Sequence, residues 1–183
     1  MSFSGIVLNG GTSSRMGRDK GEIIYQGKSL LSVALDSLID AEADEIFIVG
    51  GDKPLHYPNK PITLLKDLFP NEGPLGGVIT GLRSAKNEIA VILACDYLDT
   101  DGELVKECIS FLGTNSMVFP VYRSTNQFLF SAIRTNVLSI LEEHFANGVR
   151  SMHEAVALIS CETYEPSRPE RLRSANTPSE LNE

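Results

Sequence analysis

Cysteine and histidine are scarce in this chain, and their spacing does not suit metal or redox chemistry. The three cysteines, Cys95, Cys108 and Cys161, are odd in number and form no CxxC pair, which removes the usual cysteine-based metal and redox motifs and suits a reducing compartment. The three histidines, His56, His144 and His153, show no HExxH or HxxxH spacing, so a zinc enzyme is not expected. Long apolar runs are missing too. The longest, Ile89 to Cys95, is far too short to span a bilayer. Met1 to Gly5 carry neither a basic segment nor a long apolar one, so no signal peptide is expected and the expected address is the cytosol. Positive charge is also in short supply, with 16 Lys and Arg against 24 Asp and Glu for a formal charge of −8. That balance argues against a protein devoted to nucleic acid, which needs a basic face. It leaves room for one local basic site that holds a small polyphosphate.

What is present is ordinary globular material. A length of 183 residues predicts one domain. Apolar residues at 42% and aromatics at 7% can build a core, and 22% charged residues are typical of a folded chain. Apolar runs alternate with amphipathic stretches. Strands are predicted at Phe3–Leu8, Glu45–Val49, Ile62–Leu65, Ile89–Ala94, Met117–Val121, Phe128–Ile133 and Ile159–Tyr164. Helices are predicted at Ser29–Ala41, Gly77–Ala85, Thr100–Leu112, Val137–Phe145 and Met152–Leu158, with a last short one from Pro178 capped by Thr177. Ile89–Ala94 has no polar alternation, as expected of a central parallel strand covered on both faces. The alternation of strands and helices implies an α/β layered fold with a mostly parallel sheet. Ligands in such sheets sit beyond the carboxyl ends of the strands, so the residues after each strand carry the information.

After the first strand the chain reads Leu8-Asn9-Gly10-Gly11-Thr12-Ser13-Ser14-Arg15-Met16-Gly17-Arg18-Asp19-Lys20. Glycines let backbone N–H groups come close to an anion. The segment holds three cations against one acid within an acidic protein, a combination suited to a triphosphate at a strand end. Gly27-Lys28-Ser29 imitates the end of a Walker A loop, but position 22 is Glu22 rather than the required glycine. It reads instead as a turn opening the first long helix. Asp96 directly follows an all-apolar strand, where one carboxylate can hold Mg²⁺ together with phosphate oxygens. The competing role, capping the next helix, suits Asp99 or Thr100 better. Asp67 follows the third strand as a second acid at the ligand end. Cys95 and Cys161 read as small core residues, His144 and His153 as surface or boundary residues, and Glu142-Glu143 as a solvated helix face.

The loop resembles the LAGGxSxRMGxDK signature of molybdenum cofactor guanylyltransferases, a branch of the nucleotidyltransferase superfamily. Further matches cover nearly the whole chain: Gly27-Lys28-Ser29-Leu30, Gly73-Pro74-Leu75-Gly76-Gly77, Cys95-Asp96, Gly148-Val149-Arg150-Ser151 and Asn176-Thr177-Pro178-Ser179-Glu180-Leu181. The Gly-Gly pair with Asp19-Lys20 and the terminal Asn-Thr-Pro point to the guanylyl branch. The resemblance implies a three-layer Rossmann-like nucleotidyltransferase fold with a mostly parallel central sheet. It implies a single domain over residues 1–183, with GTP bound mainly by residues 1–100 and the acceptor mainly by residues 101–183. It implies transfer of GMP from GTP to the terminal phosphate of molybdopterin, with or without molybdenum, with release of pyrophosphate and Mg²⁺ as cofactor. Catalytic roles fall on Arg15, Lys20 and Asp96, the last also as metal ligand. Nucleotide contacts fall on Leu8, Asn9, Gly10, Gly11, Lys20, Gly50, Asp67 and Asp96, and acceptor contact on Asn176. Protein partners expected on this basis are molybdopterin-synthesis proteins or a molybdoenzyme that receives the product, with no nucleic acid or membrane.

Three positions depart from the family pattern, all in the half expected to bind molybdopterin. The family's proline two residues after the metal aspartate is Leu98, the first asparagine of its terminal motif is Ser174, and its His- or Gln-Pro-Leu is Gln127-Phe128-Leu129. Two alternatives stay open on sequence alone. One is a nucleotidyltransferase with another donor or acceptor, such as CTP or a sugar phosphate. The other is a catalytically silent nucleotide-binding partner protein.

Overall fold

The computed structural model describes residues 1–10, 20–51 and 62–175. Gly11, Arg15 and Asn176, and the helix expected from Pro178, lie outside the described residues.

Ten strands are present among the described residues: β1 (Ser4–Leu8), β2 (Ile24–Tyr25), β3 (Lys28–Ser29), β4 (Glu45–Val49), β5 (Ile62–Leu65), β6 (Ile89–Ala94), β7 (Met117–Tyr122), β8 (Thr125–Asn126), β9 (Phe130–Arg134) and β10 (Cys161–Tyr164). Five α-helices accompany them: α1 (Leu30–Asp40), α2 (Pro74–Leu82), α3 (Gly102–Ser110), α4 (Leu138–Ala146) and α5 (Met152–Val156). The main sheet has the order β10-β7-β9-β6-β1-β4-β5, with β8 attached to β7. Within that order β9 alone runs antiparallel to its neighbours β6 and β7. Only a short connection separates it from β7, which suits a hairpin and not a crossover.

Alternation along the strands divides the core into two. Val7, Val91 and Leu93 face a cluster that contains Leu31, Ala34, Leu35 and Leu38 of α1 and Leu104, Val105 and Cys108 of α3. Ile6, Leu8, Ala90 and Ile92 face the opposite cluster, with Val78 and Ile79 of α2, Leu141 of α4 and Ala155 of α5. The result is the expected three-layer α/β sandwich. Each fully buried Leu or Ile stabilises the fold by about 1.5–3 kcal/mol relative to exposure, so the faces fix which way every strand must point.

The helix ends carry the main differences from the sequence reading. α2 begins at Pro74, three residues earlier than expected, because proline at the first helical position has a preset φ and needs no N–H partner. Ser29 caps α1 through Ser32 N–H, in line with Gly27-Lys28-Ser29 as a turn; Gln26 and Gly27 form the tip of the β2–β3 hairpin. Neither Asp99 nor Thr100 caps α3. The cap is Asp101, whose side chain accepts Leu104 N–H at 2.9 Å. Thr100 is buried and receives the Ser37 hydroxyl instead. Glu142 lies on the solvated face of α4, where it accepts from Arg83 Nε at 2.7 Å in an exposed pair. A 3-10 turn follows β10 at Pro169–Leu172.

Asp101 also accepts two bonds from Arg168, at 2.7 and 2.9 Å. Burial opposes its ionisation, but the Leu104 N–H and the charges of Arg168 and Arg171 outweigh that and hold its carboxyl below the usual range. A depressed carboxyl contributes stability above its unfolded pKa, and that contribution is lost as pH falls through the folded value. Thermal stability should therefore drop as pH is lowered from about 5 toward about 3. Asp101→Asn keeps a capping oxygen but does not titrate, so its acid limb should be shallower than the wild type's. Asp101→Ala should cost about 0.5–2 kcal/mol at neutral pH through the lost cap. Melting curves of the three proteins against pH check both statements.

Candidate active site

The topology places a crevice between β1 and β6. From β1 the chain passes to β4 and β5 on one side, and then returns to β6 on the other. That reversal is where ligands of open α/β sheets bind. Lys20 and the residues after β6 therefore meet, although they are far apart in sequence. Lys20 Nζ lies 3.3 Å from Asp96 Oδ2, across 76 positions. Both side chains are about one-fifth exposed, so the pair is open to a ligand yet shielded enough for its charges to matter.

Leu8 and Asn9 end β1 between its two neighbours. Cys95 N–H donates to Leu8 O at 3.2 Å, and Asn9 N–H donates to Val49 O at 2.9 Å. Gly10 and Gly50 then meet backbone to backbone. Gly50 has φ of +83°, and a Cβ there would stand 3.0 Å from Gly10 Cα. A side chain at Gly50 is excluded both by its backbone conformation and by that approach. Asp67 stands across from them, its Oδ2 3.9 Å from where a Gly10 Cβ would be. Phe69 N–H donates to Asp67 Oδ1 at 2.9 Å. The Thr80 hydroxyl lies 3.4 Å from the same oxygen and 2.9 Å from Gly76 O. The carboxylate is thus oriented from below by α2, which lies on the sheet face under β1 and β4.

Of the residues picked from sequence, Leu8, Asn9, Gly10, Lys20, Gly50, Asp67 and Asp96 all lie at the carboxyl ends of β1, β4, β5 and β6 or just after them. Gly11, Arg15 and Asn176 lie outside the described residues. Sequence reasoning did not single out Gly21 as a site residue. It is buried behind Lys20, and a Cβ there would sit 2.1 Å from Asn9 Oδ1. That oxygen is itself buried with no hydrogen-bond partner among the described residues. The available signal was a glycine directly after the loop's last cation. Thr80 carried no signal at all, since its role depends on α2 packing beside Asp67.

Tyr97 follows Asp96 and points inward. Burial raises its phenol above the usual range, with the charge of Asp96 adding to the effect. It stays neutral and donates to Gln127 Oε1 at 3.2 Å, which joins the Asp96 loop to the Gln127-Phe128-Leu129 segment. Two other matched stretches also meet. Leu75 N–H donates to Arg150 O at 3.3 Å. Gly73 has φ of +86°, and a Cβ there would be 2.8 Å from that carbonyl. Arg150 pairs with Glu72 at 2.6 Å and lies over the Phe145 ring at 4.1 Å.

A metal can be considered on the donor set alone. Asp96 offers hard carboxylate oxygens at the mouth of the crevice. Among the described residues, no group of three or more His, Cys, Asp and Glu is placed to enclose an ion. One carboxylate with substrate phosphates is the kind of set Mg²⁺ accepts, and it suits zinc poorly. Among the described residues, no helix is long and apolar enough to cross a membrane.

Comparison with known proteins shows the family. A family model described as "MobA-like NTP transferase domain" matches residues 5–160. A molybdenum cofactor guanylyltransferase of Pseudomonas putida is 34% identical, with 96% of this chain and 94% of that protein covered. A probable molybdenum cofactor guanylyltransferase of Clostridium perfringens is 27% identical, over 79% of this chain and 72% of that protein. Among solved structures, molybdopterin-guanine dinucleotide biosynthesis protein A of Archaeoglobus fulgidus superposes with a TM-score of 0.77 at 19% identity, covering 98% of this chain and 95% of that one. The 2-C-methyl-D-erythritol 4-phosphate cytidylyltransferase of Thermus thermophilus gives the same TM-score at 13% identity, covering 100% and 96%. At such identities the two structures speak for the fold.

Proposed function

This chain belongs to the MobA-like NTP transferase family, and from that premise we propose that it transfers GMP from GTP to the terminal phosphate of molybdopterin. The observation that carries the chemistry is the Lys20–Asp96 pair across the strand-order reversal. The likeness to molybdenum cofactor guanylyltransferases over 96% of the chain supports the choice of donor and acceptor.

An oxygen of the acceptor's terminal phosphate attacks the α-phosphorus of GTP. The new O–P bond forms as the bond to the β-phosphate oxygen breaks, and pyrophosphate departs with that electron pair. Such a displacement needs no covalent intermediate on the protein. It needs alignment of the attacking oxygen and stabilisation of the charge on the phosphoryl oxygens. Lys20 is assigned to the α-phosphate and Arg15 to the β- and γ-phosphates. Backbone N–H groups of Gly10 and Gly11 complete the cradle, and the bare backbone where Gly10 meets Gly50 supports close approach of the nucleotide. Leu8, Asn9, Gly50 and Asp67 line its pocket. Asp96 is the residue that would hold Mg²⁺, which when bound neutralises charge on triphosphate oxygens.

The halves divide the work. Residues 1–100 supply the crest around β1, β4, β5 and β6 for the nucleotide. Residues 101–183 supply the acceptor side, with Asn176 in contact with the acceptor. A cytosolic location suits this role. The experiment is incubation of the purified protein with Mg²⁺, molybdopterin and each of the four nucleoside triphosphates, with mass spectrometry of the products. Guanine dinucleotide with pyrophosphate is expected from GTP alone. Product from CTP in place of GTP, or no product from molybdopterin with any of the four, would replace this reading.

A further inference from the structure

Lys20 opens a 3-10 turn, Lys20–Glu22, that is fastened on its far side. Ile23 N–H donates to Lys20 O at 3.2 Å, and Leu30 N–H donates to Ile23 O at 2.9 Å. The turn is thereby tied to the start of α1. Gly21, the residue after Lys20, is buried between two walls. One is Leu31 of α1, which belongs to the core cluster that also holds Val7 and Leu93. The other is the side chain of Asn9. A Cβ on Gly21 would stand 3.2 Å from Leu31 Cβ, 3.0 Å from Asn9 Cγ and 2.1 Å from Asn9 Oδ1.

Space, and not backbone conformation, asks for glycine here. The φ of Gly21 lies outside the left-handed region, so an L residue could adopt its backbone. A methyl carbon 2.1 Å from an oxygen is closer than any real contact, and relief needs about 1 Å of movement. Asn9 is 8% exposed, and its N–H is bonded to Val49 O of β4. Leu31 is fixed in the core. The part that must shift is the turn, and Lys20 is its first residue. Asn9 Oδ1 has no hydrogen-bond partner among the described residues, so it meets Gly21 as a contact surface and not as an acceptor. Fold stability alone does not favour a buried, unpaired oxygen in such a place.

We propose that Gly21 and the Asn9 side chain are positioning residues for Lys20: the bare backbone of Gly21 seats against the buried Asn9 amide, and that seat fixes the Lys20 ammonium 3.3 Å from Asp96. The inference rests on the assignment of Lys20 to the transferred phosphoryl group. The link to the site is direct, because Gly21 is covalently joined to Lys20, and Asn9 is joined to Gly10 where the backbone meets Gly50. One contact therefore connects the end of β1 to the cation that faces Asp96. Displacement of a catalytic group by about 1 Å is enough to cost about a hundredfold in rate.

The test measures pyrophosphate release by the full chain in single turnovers with GTP, molybdopterin and Mg²⁺, with a melting curve for each protein. Gly21→Ala is expected to stay folded and to lower the rate by about tenfold to a hundredfold. In a Lys20→Ala background the same substitution should change the rate by less than about twofold, because a residue that acts only through Lys20 then has nothing left to position. Asn9→Ala should itself lower the rate. In Asn9→Ala/Gly21→Ala the added methyl group has room, so the double variant should be no slower than Asn9→Ala. Equal losses from Gly21→Ala in both backgrounds, a Gly21→Ala protein that fails to fold or keeps a near-normal rate, or a double variant slower than Asn9→Ala overturns the positioning role and leaves the guanylyl-transfer reading in place. A wild-type protein that makes no product, or a Lys20→Ala protein with near-normal turnover, overturns the role of Lys20 on which the inference rests, and the inference with it.

Discussion

Lys20→Ala is expected to lower kcat by roughly 10²–10³, equivalent to about 3–4 kcal/mol of barrier. The size follows from place. The ammonium stands at the reversal point of the sheet, 3.3 Å from Asp96 and only 23% exposed. Charge that grows on the transferred phosphoryl group would meet it there with less solvent screening than at the surface. Alanine leaves no cation in that position. The fold should survive, because Lys20 is not part of either main core cluster and its pair with Asp96 is partly open to solvent. Single-turnover rates with GTP and molybdopterin, alongside a melting curve, give the answer. A folded variant with near-normal turnover removes Lys20 from the chemistry.

Asp96→Asn is the second large effect. Asparagine has nearly the same shape, keeps an acceptor oxygen, and loses the charge that suits a divalent cation. The Mg²⁺ concentration for half-maximal activity should rise by at least the ~10–100-fold that loss of an outer-shell partner costs a metal site. Turnover at fixed Mg²⁺ should fall accordingly and recover in part at higher metal. The Lys20–Asp96 ion pair is altered in both variants, so their effects should not be additive. The alternative reading of Asp96 as a helix cap predicts unchanged metal dependence. The structure already gives that capping role to Asp101. Activity against Mg²⁺ in both proteins distinguishes the two.

Much of the fold was legible in the sequence because it depends on local pattern. β4, β5 and β6 begin and end as the apolar runs predict. The cap at Ser29 and the glycine-bounded loop after β1 are short-range signals of the same kind. The errors fell where a local rule had two candidates. Several polar residues precede α3, and the one that caps it, Asp101, is also bonded by Arg168 from 67 positions away. The surface pair of Glu142 with Arg83 was invisible for the same reason, since nothing in α4 announces a guanidinium that reaches it from the end of α2.

The candidate site divides in the same way. Residue type and position after a strand marked Lys20, Asp67 and Asp96 as ligand-end groups, since side chains at strand ends reach the crevice whatever the strand order. Sequence by itself therefore determined the layer architecture, the buried faces and the chemical character of the crevice, all of which follow from hydrophobic period and backbone preference. Only the tertiary structure decided which of these groups meet. The order β5-β4-β1-β6 sets Lys20 beside Asp96, and main-chain pairing brings Arg173 to Tyr25 across 148 positions. Such contacts gain their free energy only after the sheet has assembled and the loop-closure entropy between distant segments has been met, so no local stretch of the chain records them.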